Sequence, residues 1–493
     1  MLEAYCWPLS VEPGEPFGVH VSTDAPSFDL TVAREGADPE VVWRREAVIA
    51  GEHPAPEDAS SRGCGWPVAF EIPVGDWRSG YYAVTLTADG ERADAFLVVR
   101  PRAGEPSAPM VLVLSTTTYN AYNDWGGPSL YTGGTRVSFE RPMAKGFLVK
   151  PEPVARKMQT EPDREAMGYI HWAREHGLSD WSGGAGWYQY ERSFVRWAEA
   201  NGYRLDFAIS QDLEQHPEVL DGHRTFVTAG HDEYWSWKMR DAVDTFTAAG
   251  GNAAIFSGNT CFWQVRFEDG HRAMTCFKYA AHQDPVLGTS DERFLTGVWA
   301  DKRIGRPEHE TIGLSFTRGG YSRYGLGAPR SSGGYTVWQP EHWVFEGTDL
   351  HYGDEFGTDD AIVSYEVDGC ELRMRCGIPV PTGRDGAPET LEVLATAPAR
   401  LWAQHEQPSR YAHEPGELEN VAAALFGDTD PANLERIRNN HATMAVFTKP
   451  SGATIFNAGV TDWAFGLKHG DPDVERITRN VLDRLAGAPV EAR

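Results

Sequence analysis

The chain is poor in cysteine: Cys6, Cys64, Cys261, Cys276, Cys370 and Cys376 are its only six in 493 residues, and none forms a CxxC pair. A disulfide scaffold and a thiolate zinc site are therefore excluded, and the thiols read as reduced and mostly buried. Positive charge is also short, with 45 Lys and Arg against 71 Asp and Glu and a net charge of −26. Phosphate binding needs clustered positive charge, so neither a nucleic acid nor an anionic membrane surface is an expected partner. No apolar run approaches the ~20 residues that span a bilayer, and MLEAYCWPLSVEPGEP has no basic patch followed by an apolar stretch. The expected location is cytoplasmic. A GxxxxGK[ST] cradle, a glycine fingerprint after the first strand of the sheet and a glycine-flanked nucleophile elbow are missing too, which removes the common nucleotide-binding and serine-hydrolase patterns. Cys261 has no evident base to make it a nucleophile.

Aromatic residues are plentiful, with 17 Trp, 18 Tyr and 22 Phe in a chain that is 41% hydrophobic, so it folds and buries rings. Its length implies two or three domains. Residues 1 to about 100 alternate at period two, with Phe17, Val19 and Val21, then Phe28, Leu30 and Val32, then Ala95, Leu97 and Val99 on one face. Turn signals at Pro13-Gly14, Gly75-Asp76 and Asp89-Gly90 separate these strands, and the pattern predicts an immunoglobulin-like β-sandwich over residues 1–103. The Pro, Gly and Ser rich segment PRAGEPSAP, residues 101–109, reads as the linker.

Beyond it the pattern becomes α/β over residues 104–493. MVLVLST is a continuous apolar run, as in a strand covered on both faces. A helix at about 188–200, with Tyr190, Phe194 and Trp197 on one stripe, leads to the strand RLDFAIS, the helical segment QDLEQHPEVL and the strand TFVTAG. A helix over 236–249, burying Met239, Ala242, Val243 and Phe246, leads to NAAIFSG. Alternation of this kind predicts right-handed crossovers and a three-layer α/β sheet. From about 262 to 440 the periodicity weakens, which suggests a long insertion or cap. ATIFNAG and a final helix after Asp471-Pro472, with Val474, Ile477, Val481 and Leu485, restore the order.

In open α/β sheets ligands bind beyond the carboxyl ends of the strands, and three polar segments sit there. STTTYNAYNDWGGPSLY carries Tyr119, Tyr122 and Tyr131. It reads either as a structural loop or, with a nearby carboxylate, as a hard oxygen site suited to trivalent iron. In AGHDEYWSW, His231 and Glu233 share a face if the chain is extended there. Alternatively Asp232 caps a helix that has Glu233 in its first turn. In SGNTCFWQ, Asn259 can orient a carbonyl or water, or form an Asx-turn.

These segments, together with HWVFEGTDLHYGDEFG, FNAGVTDWAFGL and, in the sandwich, IPVGDWRSGYYAVTL and FLVVRP, resemble the N,N-dimethylformamidase large-subunit-like family. The resemblance implies an α/β core similar to type 1 glutamine amidotransferases without their catalytic cysteine. It also implies one mononuclear Fe(III) held by two tyrosines and a glutamate. Residue by residue, Glu233 matches the carboxylate ligand, Tyr131 one tyrosine and Tyr122 the other, with Tyr119 the rival; His231 and Asn259 match the remaining active-site positions. The expected function is hydrolysis of a non-peptide C–N bond in a small formamide or related amide, with ferric ion as Lewis acid. Residues for a small subunit are not evident, and a homo-oligomer is left open. A tyrosinate-iron redox enzyme and a non-catalytic glycan-binding protein are the alternatives.

Overall fold

The computed structural model describes residues 1–158, 168–325, 328–407 and 415–487. The first hundred residues form two sheets. Leu2–Trp7, Pro16–Thr23 and Val68–Pro73 pair antiparallel in one, while Ser10–Val11, Glu91–Val99, Gly80–Ala88, Phe28–Arg34 and Glu40–Val48 lie in that order in the other. The alternating residues of both sheets meet in one core holding Val19, Val21, Leu30, Val32, Leu97 and Val99. Period-two patterning places one face of each strand in this core, while Tyr81, Phe96 and Val98 on the opposite face of the larger sheet are buried against the second part of the chain.

The second part is built on an 11-stranded sheet. Along it lie Leu205–Ile209, Met110–Leu114, Thr225–His231, Asn252–Gly258 and Thr454–Asn457, all parallel. Antiparallel strands then extend it through Asn439–Thr448, Glu392–Arg400, Ser315–Tyr321 and Glu366–Gly369. Three of these four come from the stretch of weak periodicity. The parallel strands are buried almost throughout because both faces are covered. Leu112, Leu114, Phe207, Val227 and Phe256 pack with Phe194 and Trp197 of the helix Glu191–Ala200, with Trp463, and with Val474, Ile477 and Val481 of the helix Pro472–Ala486. Val111, Val113, Ala208, Phe226 and Ile255 pack on the other face with Leu213, Leu220 and Met239, Ala242 and Val243 of the helix Trp237–Ala248. Phe246 of that helix is only half-buried.

The two parts dock through matched polar and ring contacts. Arg34, itself 3% exposed, pairs with Glu199 at 2.6 Å, Ser79 Oγ accepts the backbone N–H of Phe207 at 2.7 Å, and Tyr81 stacks on Trp187 with centroids 3.9 Å apart. The chain is thus a sheet-rich, multi-domain mixture of β and α/β structure. All six cysteines are free and all but Cys376 are buried. No helix among the described residues is long and apolar enough to cross a membrane.

Candidate active site

Met110–Leu114 lies between Leu205–Ile209 and Thr225–His231, so the chain turns to opposite sides after it and leaves a crevice at the carboxyl ends of the strands. The three polar segments meet there. STTTYNAY, read from sequence as a loop or oxygen-bearing segment, is a helix over Thr116–Tyr122. All seven of its residues are buried, so it has no polar face to give a helical period.

Thr225–His231 ends at the histidine, and Gly230 just before it has φ +84°, where an added Cβ would stand 2.2 Å from Cβ of Tyr190. Only glycine permits that backbone so close to a ring. Glu233 follows in the gap before Tyr234–Ser236, its backbone N–H donating to Thr118 Oγ1 at 3.0 Å and its carbonyl receiving the N–H groups of Phe262 and Trp263. The capping alternative for Asp232 does not occur. Ser236 caps the next helix by accepting from the Met239 N–H at 3.2 Å, and Asp232 turns away to accept from Thr228 Oγ1 at 2.9 Å. Asp232 and Glu233 therefore do not form a pair across one bond.

The hydroxyl of Tyr131 donates toward both oxygens of Glu233, at 2.9 and 2.8 Å, and itself accepts from the Tyr234 hydroxyl at 2.9 Å. The rings of Tyr122 and Tyr131 lie 4.1 Å apart. Trp263 Nε1 donates to Glu233 Oε1 at 2.7 Å. Tyr122 fits beside Gly184, where a Cβ would meet its ring at 2.6 Å. The Gly184 carbonyl accepts from His231 Nδ1 at 2.6 Å, which turns His231 Nε2 toward Glu366 Oε2 at 2.7 Å and Glu233 Oε2 at 3.4 Å. Asn259, at φ 49°, donates from Nδ2 to Glu366 Oε2 at 3.1 Å and leaves its Oδ1 without a partner. Tyr122, Tyr131, Glu233, Asn259 and Glu366 all line one cavity.

Tyr119 is elsewhere. Its ring is 6.2 Å from Phe96, and it lines a separate cavity against the first part of the chain, with Arg141 and Phe139. Cys261 is fully buried in an apolar cluster, and burial pushes its thiol far up, so it is inert.

Burial raises every oxygen acid in the site. It holds the phenols of Tyr122 and Tyr131 well above the usual tyrosine range, with the charge of Glu233 adding to it, and raises Glu233 itself. For His231 burial opposes the charged form, but Glu366 and Glu233 together outweigh it and push the imidazole up to about 9. Against its own burial, Glu366 is held below the carboxylate range by His231.

Sequence reasoning missed Tyr234, Trp263, Lys278 and Glu366. Lys278 is buried, with Nζ 3.1 Å from the centroid of the Tyr131 ring and no hydrogen-bond partner among the described residues. Tyr234 and Trp263 stood in the quoted segments, next to Glu233 and four residues after Asn259. Glu366 and Lys278 carried no local signal. Among the described residues no group of three or more His, Cys, Asp or Glu side chains is arranged to hold a metal ion.

The family model described as N,N-dimethylformamidase beta subunit-like, C-terminal, matches residues 30–476. The chain belongs to that family. Two curated relatives are the N,N-dimethylformamidase beta subunits of Alcaligenes sp, 23% identical over 456 residues, and of Paracoccus aminophilus, 24% identical over 462. Each alignment covers 86% of this chain and 54% of the relative, so the chain spans about half the length of these dimethylformamidase subunits. Among solved structures, one described as "Structural basis for Dscam isoform specificity" overlaps 20% of the chain at 14% identity with a TM-score of 0.13, too little to inform the fold.

Proposed function

We propose that this member of the dimethylformamidase family hydrolyses the C–N bond of a small non-peptide amide, a formamide or close analogue, using a mononuclear ferric ion held by Tyr122, Tyr131 and Glu233. The observation that carries this is the Tyr131 hydroxyl set against both oxygens of Glu233, beside Tyr122, in a buried cavity that Asn259 and Glu366 also line, with His231 2.7 Å from Glu366. The residues fit the ion: two phenols and one carboxylate are hard oxygen donors, the set a trivalent cation prefers. The names of the two relatives support amide hydrolysis.

When bound, the ion would polarise the substrate carbonyl and make a water more acidic. His231 gives its Nδ1 hydrogen to the Gly184 carbonyl and turns Nε2 to Glu366 Oε2 at 2.7 Å and Glu233 Oε2 at 3.4 Å, so the His231–Glu366 pair can hold a proton at Nε2 and pass it through Glu366, which lines the cavity, to the departing nitrogen. Asn259 spends its N–H on Glu366, so its free Oδ1 suits an N–H of the amide or a water rather than an oxyanion. Trp263 steadies the Glu233 carboxylate.

The immunoglobulin-like reading of residues 1–103 and the amidotransferase-like reading of the parallel sheet belong to the same proposal, supported by the two-sheet core and by the strand order. Both relatives are named beta subunits, which supports a multi-subunit assembly, so the reading that a small subunit is not evident is set aside. The test is amine release from N-alkylformamides by iron-loaded protein under strict exclusion of oxygen. Turnover is expected; turnover only with oxygen would establish the redox alternative instead.

A further inference from the structure

The cavity extends past the reacting groups to a wall that hydrolysis leaves idle. Tyr279, Tyr321, Tyr324 and Trp402 line it together with Glu417, the first residue of the helix Glu417–Phe426. Glu417 is 8% exposed. Its Oε1 accepts from the hydroxyls of Tyr279 at 2.8 Å and Tyr321 at 3.3 Å, whereas Oε2 has no hydrogen-bond partner, and no ion pair reaches the residue among the described residues. A buried carboxylate oxygen left open is costly, and one that faces a cavity is satisfied by whatever enters it. Beside it Tyr321 stacks on Trp402 with centroids 3.7 Å apart, presenting aromatic surface that attracts cations. Burial, which the Tyr279 hydroxyl and the charge of Lys278 offset only in part and to which Glu366 and Glu233 add, pushes Glu417 up to about 8, so it holds a proton at neutral pH that an ammonium alongside would release.

We propose that the substrate carries an ammonium group, remote from the scissile C–N bond, that is received by Glu417 Oε2 beside Tyr321 and Trp402. This rests on the amide-hydrolase reading and deepens it by naming the substrate class. N,N-dimethylformamide itself has no hydrogen-bond donor and would leave Glu417 as it is.

Two measurements on the iron-loaded protein separate this inference from the reading beneath it. The first compares N-(2-aminoethyl)formamide with its uncharged isostere N-propylformamide; kcat/KM is expected at least tenfold higher for the former, mostly through KM, as a charge-assisted hydrogen bond supplies. Glu417→Gln should collapse that ratio toward one. Trp402→Leu should reduce it, which keeps the test alive if the first variant does not fold. The second is a calorimetric titration with propylammonium chloride, with 1-propanol as the uncharged control. Propylammonium binding that Glu417→Gln abolishes, without turnover of either amide, would sustain the ammonium site and overturn the hydrolase reading. Equal turnover of both amides without propylammonium binding would overturn the ammonium site and leave the hydrolase reading intact.

Discussion

Replacing Trp263 with phenylalanine removes one N–H from the proposed ion's carboxylate, together with part of a ring that packs on Phe262 and Tyr279. Trp263 is 1% exposed, and its Nε1 donates to Glu233 Oε1 at 2.7 Å. A hydrogen bond to a charged group contributes about 1.5–3 kcal/mol, and about 1.4 kcal/mol is a factor of ten, so ferric affinity should fall roughly 10- to 100-fold. The carboxylate would lose the donor that stabilises its charge at Oε1, and its proton would compete better with the ion. The assay is competition with a graded series of chelators at constant pH, read as iron retained, with thermal melting in parallel. Trp187→Phe is the control, since Trp187 is equally buried but stacks on Tyr81 at the junction of the two parts. Affinity within twofold of the parent for Trp263→Phe, or the same loss for Trp187→Phe, would refute the reasoning.

Three further outcomes follow from single contacts. Gly230→Ala should lower the melting temperature by several degrees and cut activity, because its Cβ would stand 2.2 Å from Tyr190 at φ +84°, one residue before His231; an unchanged melt would contradict this. Tyr119→Phe should leave iron binding and amide turnover within twofold of the parent, since Tyr119 lines a different cavity, and loss of the iron would contradict the assignment of Tyr122. Glu191, 1% exposed, is pushed up to about 8 by burial, so it keeps its proton in the folded chain after the unfolded chain has lost it. Its contribution is intact below about pH 4.5 and declines as pH rises toward 8, by roughly 5 kcal/mol in all; denaturant melts of Glu191→Gln should therefore show a flatter decline than the parent across that window, and parallel curves would rule this out.

Much of the fold was legible because two kinds of pattern were strong. The alternation of Phe28, Leu30 and Val32 reports one packed face, and the unbroken run MVLVLST reports two. The pair His231 and Glu233 was legible for the same reason, as two residues apart on extended chain their side chains come within 3.4 Å. The helix Thr116–Tyr122 was not, since a segment buried on every side has no period to read. Nor was Glu366, which lies 133 positions beyond Glu233 and reaches His231 only because its strand pairs with Ser315–Tyr321 at the far edge of the sheet. Glu417 and Lys278 are of the same kind. Long-range register placed them, in stretches whose glycines and tyrosines spoke only of irregular chain. Asp232 had the right chemistry for a cap, but the helix starts later and Ser236 takes that place.

If Tyr122, Tyr131 and Glu233 together hold one ferric ion, titrating ferric ion into the metal-free protein should raise a visible tyrosinate-to-iron charge-transfer band. That band is expected to saturate at one equivalent and to be weakened or lost in Tyr122→Phe and in Tyr131→Phe. A colourless titration, or a band that survives both substitutions unchanged, would contradict that ligand set.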